Sequence, residues 1–183
     1  MELTKNIIYS KLVKNLFYAL VGTILLAISS KIKIPFYPVP MTMQTFVVLF
    51  IGVALGWKLG VATIILYLFE GIVGLPVFAG TPEKGLGLLY FTGPTMGYLL
   101  GFIITTYVAG SFNYNKNLFY NFFKLSFATS FIYIFGLLWL GSLIGWDKHV
   151  FKLGAQPFLF AELFKILLLT LVISKVKKIR NFV

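Results

Sequence analysis

The stretch PFLFAELFKILLLTLVIS, Pro157 to Ser174, is an apolar run carrying one carboxylate and one ammonium. A helix crosses the hydrocarbon core with about 20 predominantly apolar residues (range about 17–25), so this run is long enough to span. Pro157 suits the first position of such a helix, where its missing amide hydrogen costs nothing. Glu162 and Lys165 stand three apart and share one face, one to two turns inside the helix start. A charge near the bilayer centre costs about 2.5–3.5 kcal/mol on insertion scales, so each group needs a partner or a pocket. The plain reading is an intrahelical ion pair. The pair's depth favours the other reading, a donor and an acceptor turned toward a ligand.

The rest of the chain matches this run. Of 183 residues 59% are hydrophobic and 11% charged, with mean hydropathy +0.93. A soluble domain has about 45–50% apolar and about 25% charged residues, so lipid is the solvent here. The net charge of +11 does not point to nucleic acid, because the lysines lie between and after the apolar runs, where topology signals belong. There is no Cys and one His (His149), which excludes disulfides and leaves little for a metal centre or a His-based triad. No metal and no cofactor is expected. Gly85 to Thr95 lacks the Lys-Ser/Thr ending of a nucleotide loop, so an active transporter of this size would need a motor from elsewhere.

Pro/Gly clusters and charges divide the chain into six apolar segments, about 12–30, 43–56, 59–74, 93–110, 117–141 and 157–174. We read them as an all-α membrane protein, one transmembrane domain over 1–183. The first run follows Lys5, Lys11 and Lys14, and Ala27-Ile28-Ser29 faintly resembles a cleavage site. It continues long enough to span. Residues 43 to 74 are too many for one span and few for two, which predicts two short helices with a turn at Trp57-Lys58. Three prolines within Pro35 to Pro40 bar a helix and favour extended chain. Leu75 to Thr92 is rich in Gly and Pro yet apolar, which predicts a loop folded back on the bundle.

With six spans both termini share a side, which holds Lys5, Lys11, Lys14, Lys58, Lys116, Lys124, Lys175, Lys177, Lys178 and Arg180. The other side holds Lys31, Lys33, Lys84, Lys148 and Lys152. This bias places the termini in the cytoplasm and both structured loops outside. Glu70, near the outer end of the third span, either braces the following loop or meets a ligand. Gln44 lies near the outer start of the second span, within reach of loop backbone or substrate. Ala19, Thr23 and Ala27 form a small-residue stripe that lets a helix approach closely, within the bundle or on a second membrane protein.

The ordered set IPFYPVPMTMQTF, GLPVFAGTPEKG, YFTGPTMGYLLGF, GWDK and PFLFAELFK, spread from Ile34 to Lys165, resembles the biotin transporter BioY family. These are the substrate-binding S components of energy-coupling factor transporters. The resemblance implies a six-helix S-component fold in a bacterial cell membrane, without enzymatic activity. It would bind biotin near the outer end, with residues 33–41 as a lid, and work with a transmembrane coupling protein and an ATPase pair. It also implies Glu162 and Lys165 as ligand-binding groups, with Gln44, Tyr37, Phe78, Thr81, Lys84 and Tyr90 around the substrate, and Phe36 and Phe91 covering its apolar ring. Ala19, Thr23 and Ala27 match the face that docks the coupling protein, Thr23 replacing an Ala. Many members have Asp where this chain has Glu162, and Gly where it has Met96. The rival readings are an S component for another vitamin, an intramembrane enzyme using Glu70 or Glu162 as base, and a structural subunit.

Overall fold

A computed structural model describes residues 2–182, with side chains from residue 11 onward, so the Lys5 side chain lies outside the described residues. Helix α1 (Glu2–Lys31) ends just before Pro35, which pushes the chain into extended backbone. Two short strands follow, β1 (Lys33–Ile34) and β2 (Met41–Thr42), antiparallel with Lys33 opposite Thr42 and Ile34 opposite Met41. The Pro-rich loop predicted as extended is thus the tip of a small hairpin. Met43 N donates to Ile32 O at 3.1 Å and ties the hairpin base to the end of α1.

Helix α2 (Gln44–Ile72) is broken at Gly56, whose φ of 75° and ψ of 174° lie outside helical space. A side chain is strained at this φ, and glycine is not. The two halves fold back on each other: a Cβ added to Gly60 would sit 3.5 Å from Ile51 O and 3.6 Å from Gly52 Cα. This is the expected pair of short helices, with the turn one residue earlier than Trp57-Lys58. At ~1.5 Å per residue the halves reach only about 18 and 24 Å, less than the hydrocarbon thickness. The break frees backbone carbonyls that no helical amide can reach. Arg180 supplies donors instead, Nε to Val53 O at 2.7 Å and Nη2 to Gly52 O at 3.0 Å.

Helices α3 (Met96–Ser111) and α4 (Leu118–Ile144) follow, then a one-turn α5 (Val150–Gly154) and α6 (Leu159–Val176). Pro157 lies in a 3-10 turn, Gln156–Phe158, that leads into α6 rather than in the helix itself. The short α5 was not expected. Four segments are long and apolar enough to cross a membrane: Lys11–Lys31, Gln44–Ile72, Leu118–Ile144 and Val150–Phe182; α3 is a shorter apolar helix. Counting the halves of α2 separately gives the six helices anticipated. Glycines let them pack closely. Gly52 faces Thr106 O, and Gly101 lies against the backbone of Phe131 and Ile132. Met96 is only half-buried, and the close approach of α3 to α4 rests on Gly97 and Gly101.

The small-residue stripe of α1 serves the in-bundle contact. Ala19 and Thr23 are buried and Ala27 is half-buried, while a Cβ on neighbouring Gly22 would meet Thr63 Cγ2 at 2.5 Å. In this conformation Ala19 and Thr23 are buried, on the side of α1 where Gly22 meets α2. The exposed face of α1 carries Leu12, Leu16, Leu20, Ile24 and Ile28.

Candidate functional site

The first turns of α2 and α6 meet beneath the β1–β2 hairpin and carry the most polar buried cluster of the described residues. Glu162 Oε1 accepts from Thr45 Oγ1 at 2.8 Å and from Lys165 Nζ at 2.7 Å. Lys165 Nζ also donates to Thr42 O at 2.6 Å and Thr45 Oγ1 at 2.9 Å, so its three protons have three acceptors. Both side chains are buried, each residue 5% exposed. A carboxylate in the first turn of α6 also sits at the positive end of that helix. Yet Glu162 Oε2 is buried with no hydrogen bond of ordinary geometry, although the Tyr133 hydroxyl lies near the carboxylate. Such an atom normally finds one.

Glu162 forms part of the wall of a cavity enclosed by Pro40, Gln44, Tyr90, Tyr98, Tyr133 and Phe158, among others. The space is narrow, about 60 Å³. Ligand pockets run to about 300–1,000 Å³, so a vitamin-sized molecule needs the wall to yield. Val39 to Thr42 form one side, which makes the hairpin the part whose displacement widens the cavity. A separate outer pocket of about 380 Å³ lies beyond, lined by Tyr37, Lys84, Gly93, Leu143 and Tyr90, the last shared with the inner cavity.

The loop from Val77 to Thr81 is non-helical and buried, and in lipid each of its carbonyls needs a donor. Each of these is found. Ser30 Oγ and Tyr67 OH reach Val77 O at 2.8 and 2.9 Å, and Tyr90 OH reaches Ala79 O at 2.8 Å. Lys31 Nζ donates to Phe78 O at 3.0 Å and to Thr81 O and Oγ1 at 3.3 and 3.1 Å. Burial pushes the Tyr90 phenol above its ordinary pKa. Tyr67 OH in turn accepts from Gln44 Nε2 at 2.7 Å, so the loop is wired to the cavity wall.

The eight residues singled out in the sequence therefore fall into three places. Glu162, Gln44 and Tyr90 line the inner cavity. Tyr37, 91% exposed, and Lys84 line the outer pocket, whose mouth is open. Lys165, Phe78 and Thr81 line neither. Lys165 holds Glu162, Thr81 anchors the loop, and Phe78 is packed among Tyr67, Tyr90 and Phe91, stacked on Tyr90 at 4.7 Å. Phe36 packs edge-on against Phe158, 5.8 Å between ring centres. Glu70 is half-buried and lines neither space; its backbone O accepts from Leu75 N at 3.1 Å. The sequence reading missed Thr45, Tyr98, Tyr133 and Phe158 in the wall, and Ser30 and Lys31 in the brace. Their signal was weak: one hydroxyl or ring among many in apolar helices.

A multi-pass helical bundle with a narrow, polar-ended cavity under a hairpin defines a membrane-embedded small-molecule receptor. Its backbone matches a crystal structure of the S-component for biotin from an ECF-type ABC transporter, with TM-score 0.78 and 25% identity, over 92% of this chain and 93% of that one. The model of the BioY family matches residues 3–182, and the chain belongs to that family. Curated relatives include a probable biotin transporter BioY from Pyrococcus horikoshii, 35% identical over 77% of this chain and 82% of the relative. Another is the biotin transporter BioY of Thermotoga maritima, 33% identical over 91% of this chain and 97% of the relative.

Proposed function

We propose that this protein is the biotin-binding membrane component of a vitamin uptake transporter, taking biotin from outside and passing it to the cytoplasm. The observation that carries the reading is the buried Glu162 carboxylate at the cavity wall, one oxygen held by Thr45 and Lys165 and the other unpartnered. Biotin's ureido ring has N–H donors to complete that oxygen. Its sulfur-containing ring is apolar and suits a wall of Tyr90, Tyr98, Phe102 and Phe158. The carboxylate tail then points to the outer pocket, where Lys84 supplies an ammonium. A ligand lacking the donors leaves Glu162 unpaired, which is how a buried acceptor discriminates.

Entry requires the hairpin to swing out and close again, residues 33–41 acting as a lid. The excess of basic residues around Lys58, Lys116, Lys124 and Lys175 to Arg180 supports an orientation with that end and both termini in the cytoplasm. The site then lies at the outer end. Release inward needs work that no nucleotide site of this chain supplies, which calls for a transmembrane coupling protein and an ATPase pair. Equilibrium dialysis of labelled biotin against the purified protein tests the reading. Saturable binding that thiamine and riboflavin do not displace supports it; equal displacement by either overturns it.

A further inference from the structure

A third space, of about 370 Å³, lies between α4 and the α5–α6 corner. Ile134, Phe151, Leu159 and Leu163 on its walls are exposed, so it opens toward lipid. Thr129 and Ser130 also line it, but their hydroxyls are bonded to Leu125 O and Phe127 O of their own helix. Ser126 is the one further hydroxyl on its walls, and the rest of the lining apart from Tyr133 and Glu162 is apolar. Among the described residues only Tyr133 and Glu162 line both this groove and the inner cavity. One ring and one carboxylate form the partition. The Tyr133 ring is held in place by Phe158, stacked at 6.5 Å, and by Tyr98, edge-on at 6.2 Å.

We propose that Tyr133 determines specificity by closing the Glu162 end of the site against the α4–α6 groove. It excludes ligands that carry an apolar substituent on the group bound by Glu162. Trimming the ring joins the cavity to the groove and gives such a substituent a place to go. The inference rests on the biotin reading, with the ureido ring at Glu162.

The test uses the purified full chain and three ligands: biotin, biotin with a benzyl group on one ureido nitrogen (the other nitrogen keeping its N–H for Glu162), and biotin extended at its carboxylate by lysine. Each affinity is compared between wild type and variant, so the lost donor cancels. Wild type is expected to bind biotin and to reject the benzyl ligand. In Tyr133→Ala the affinity for the benzyl ligand relative to biotin should rise by about tenfold or more, the scale of one apolar group fitting or not fitting a pocket. The lysine-extended ligand should not gain relative to biotin. Tyr133→Phe keeps the ring and should keep the exclusion. Tyr133→Leu, also smaller than the ring, replaces the alanine variant if that fails to fold. The inference is overturned if the benzyl ligand gains nothing while biotin still binds. A gain for the lysine-extended ligand instead, or relaxation by Tyr133→Phe equal to that of Tyr133→Ala, also overturns it. Absence of biotin binding in wild type is a different result and strikes the proposed function.

Discussion

Lys165 Nζ lies 2.7 Å from Glu162 Oε1, yet the ammonium does not line the cavity that the carboxylate reaches. The two groups are partners with different tasks. Lys165 ties α6 to Thr42 O at the foot of the hairpin and to Thr45 in α2, and so fixes the acid. Glu162 Oε2 is left without a partner, and in the proposed reading it is the oxygen that meets the ligand. An ion pair that served only neutrality would not need three acceptors on the lysine and none on the second carboxylate oxygen.

Removing Lys165 should hurt stability and binding together. Breaking a buried pair by deleting one partner costs about 3–5 kcal/mol, because the other charge is left uncompensated. Lys165→Ala should lower the thermal unfolding midpoint and weaken biotin by more than about tenfold; scanning fluorimetry with and without biotin measures both. Unchanged affinity would remove Lys165 from the account.

Arg180 should matter at the far end of the molecule. Its two bonds to Gly52 O and Val53 O replace helix bonds lost at Gly56. A buried acceptor left unsatisfied costs about 1–3 kcal/mol. Arg180→Ala should therefore lower the unfolding midpoint clearly, and Arg180→Lys, with one point of donation instead of a fork, should restore only part of it. Equal midpoints for all three proteins would show that the carbonyls find other donors.

Gly71 should tolerate no side chain. A Cβ there overlaps the Phe78 ring, which is buried against Tyr67 and Tyr90. Overpacking of this kind costs about 1–3 kcal/mol. Gly71→Ala should destabilise the protein and displace the Val77–Thr81 loop, visible as faster amide exchange there. Gly74, where nothing lies within 4 Å of an added Cβ but φ is +98°, is a control in which only backbone strain acts.

The hairpin should close over ligand. The chain has no cysteine, so a single thiol reports cleanly. Val39 is buried and lines the cavity. Maleimide labelling of Val39→Cys should proceed slowly without ligand, through opening of the hairpin, and fall further with biotin. Labelling that biotin does not slow would mean that this segment is not the lid.

Much of this molecule was legible in its sequence, and the limits have physical causes. Spans are written in unbroken apolar length, and the only acid and amine deep in the last helix were visible as such. The paired halves of α2 followed from a run too long for one crossing. Direction was harder to read than position. Glu162 and Lys165 share a face, but which of them reaches the cavity depends on Thr45 and Thr42, more than a hundred residues away. Phe78 reads as a ligand-covering aromatic until Gly71 gives its ring a slot. The stripe of Ala19 and Thr23 suits close approach to any helix, and nothing in its spacing says that α2 is the one.

The most direct test is a structure of the protein with biotin bound. The account predicts the vitamin in the cavity under the hairpin, a ureido N–H within about 2.7–3.2 Å of Glu162 Oε2. Biotin seated elsewhere, or in the cavity with that oxygen still unpartnered, would contradict it.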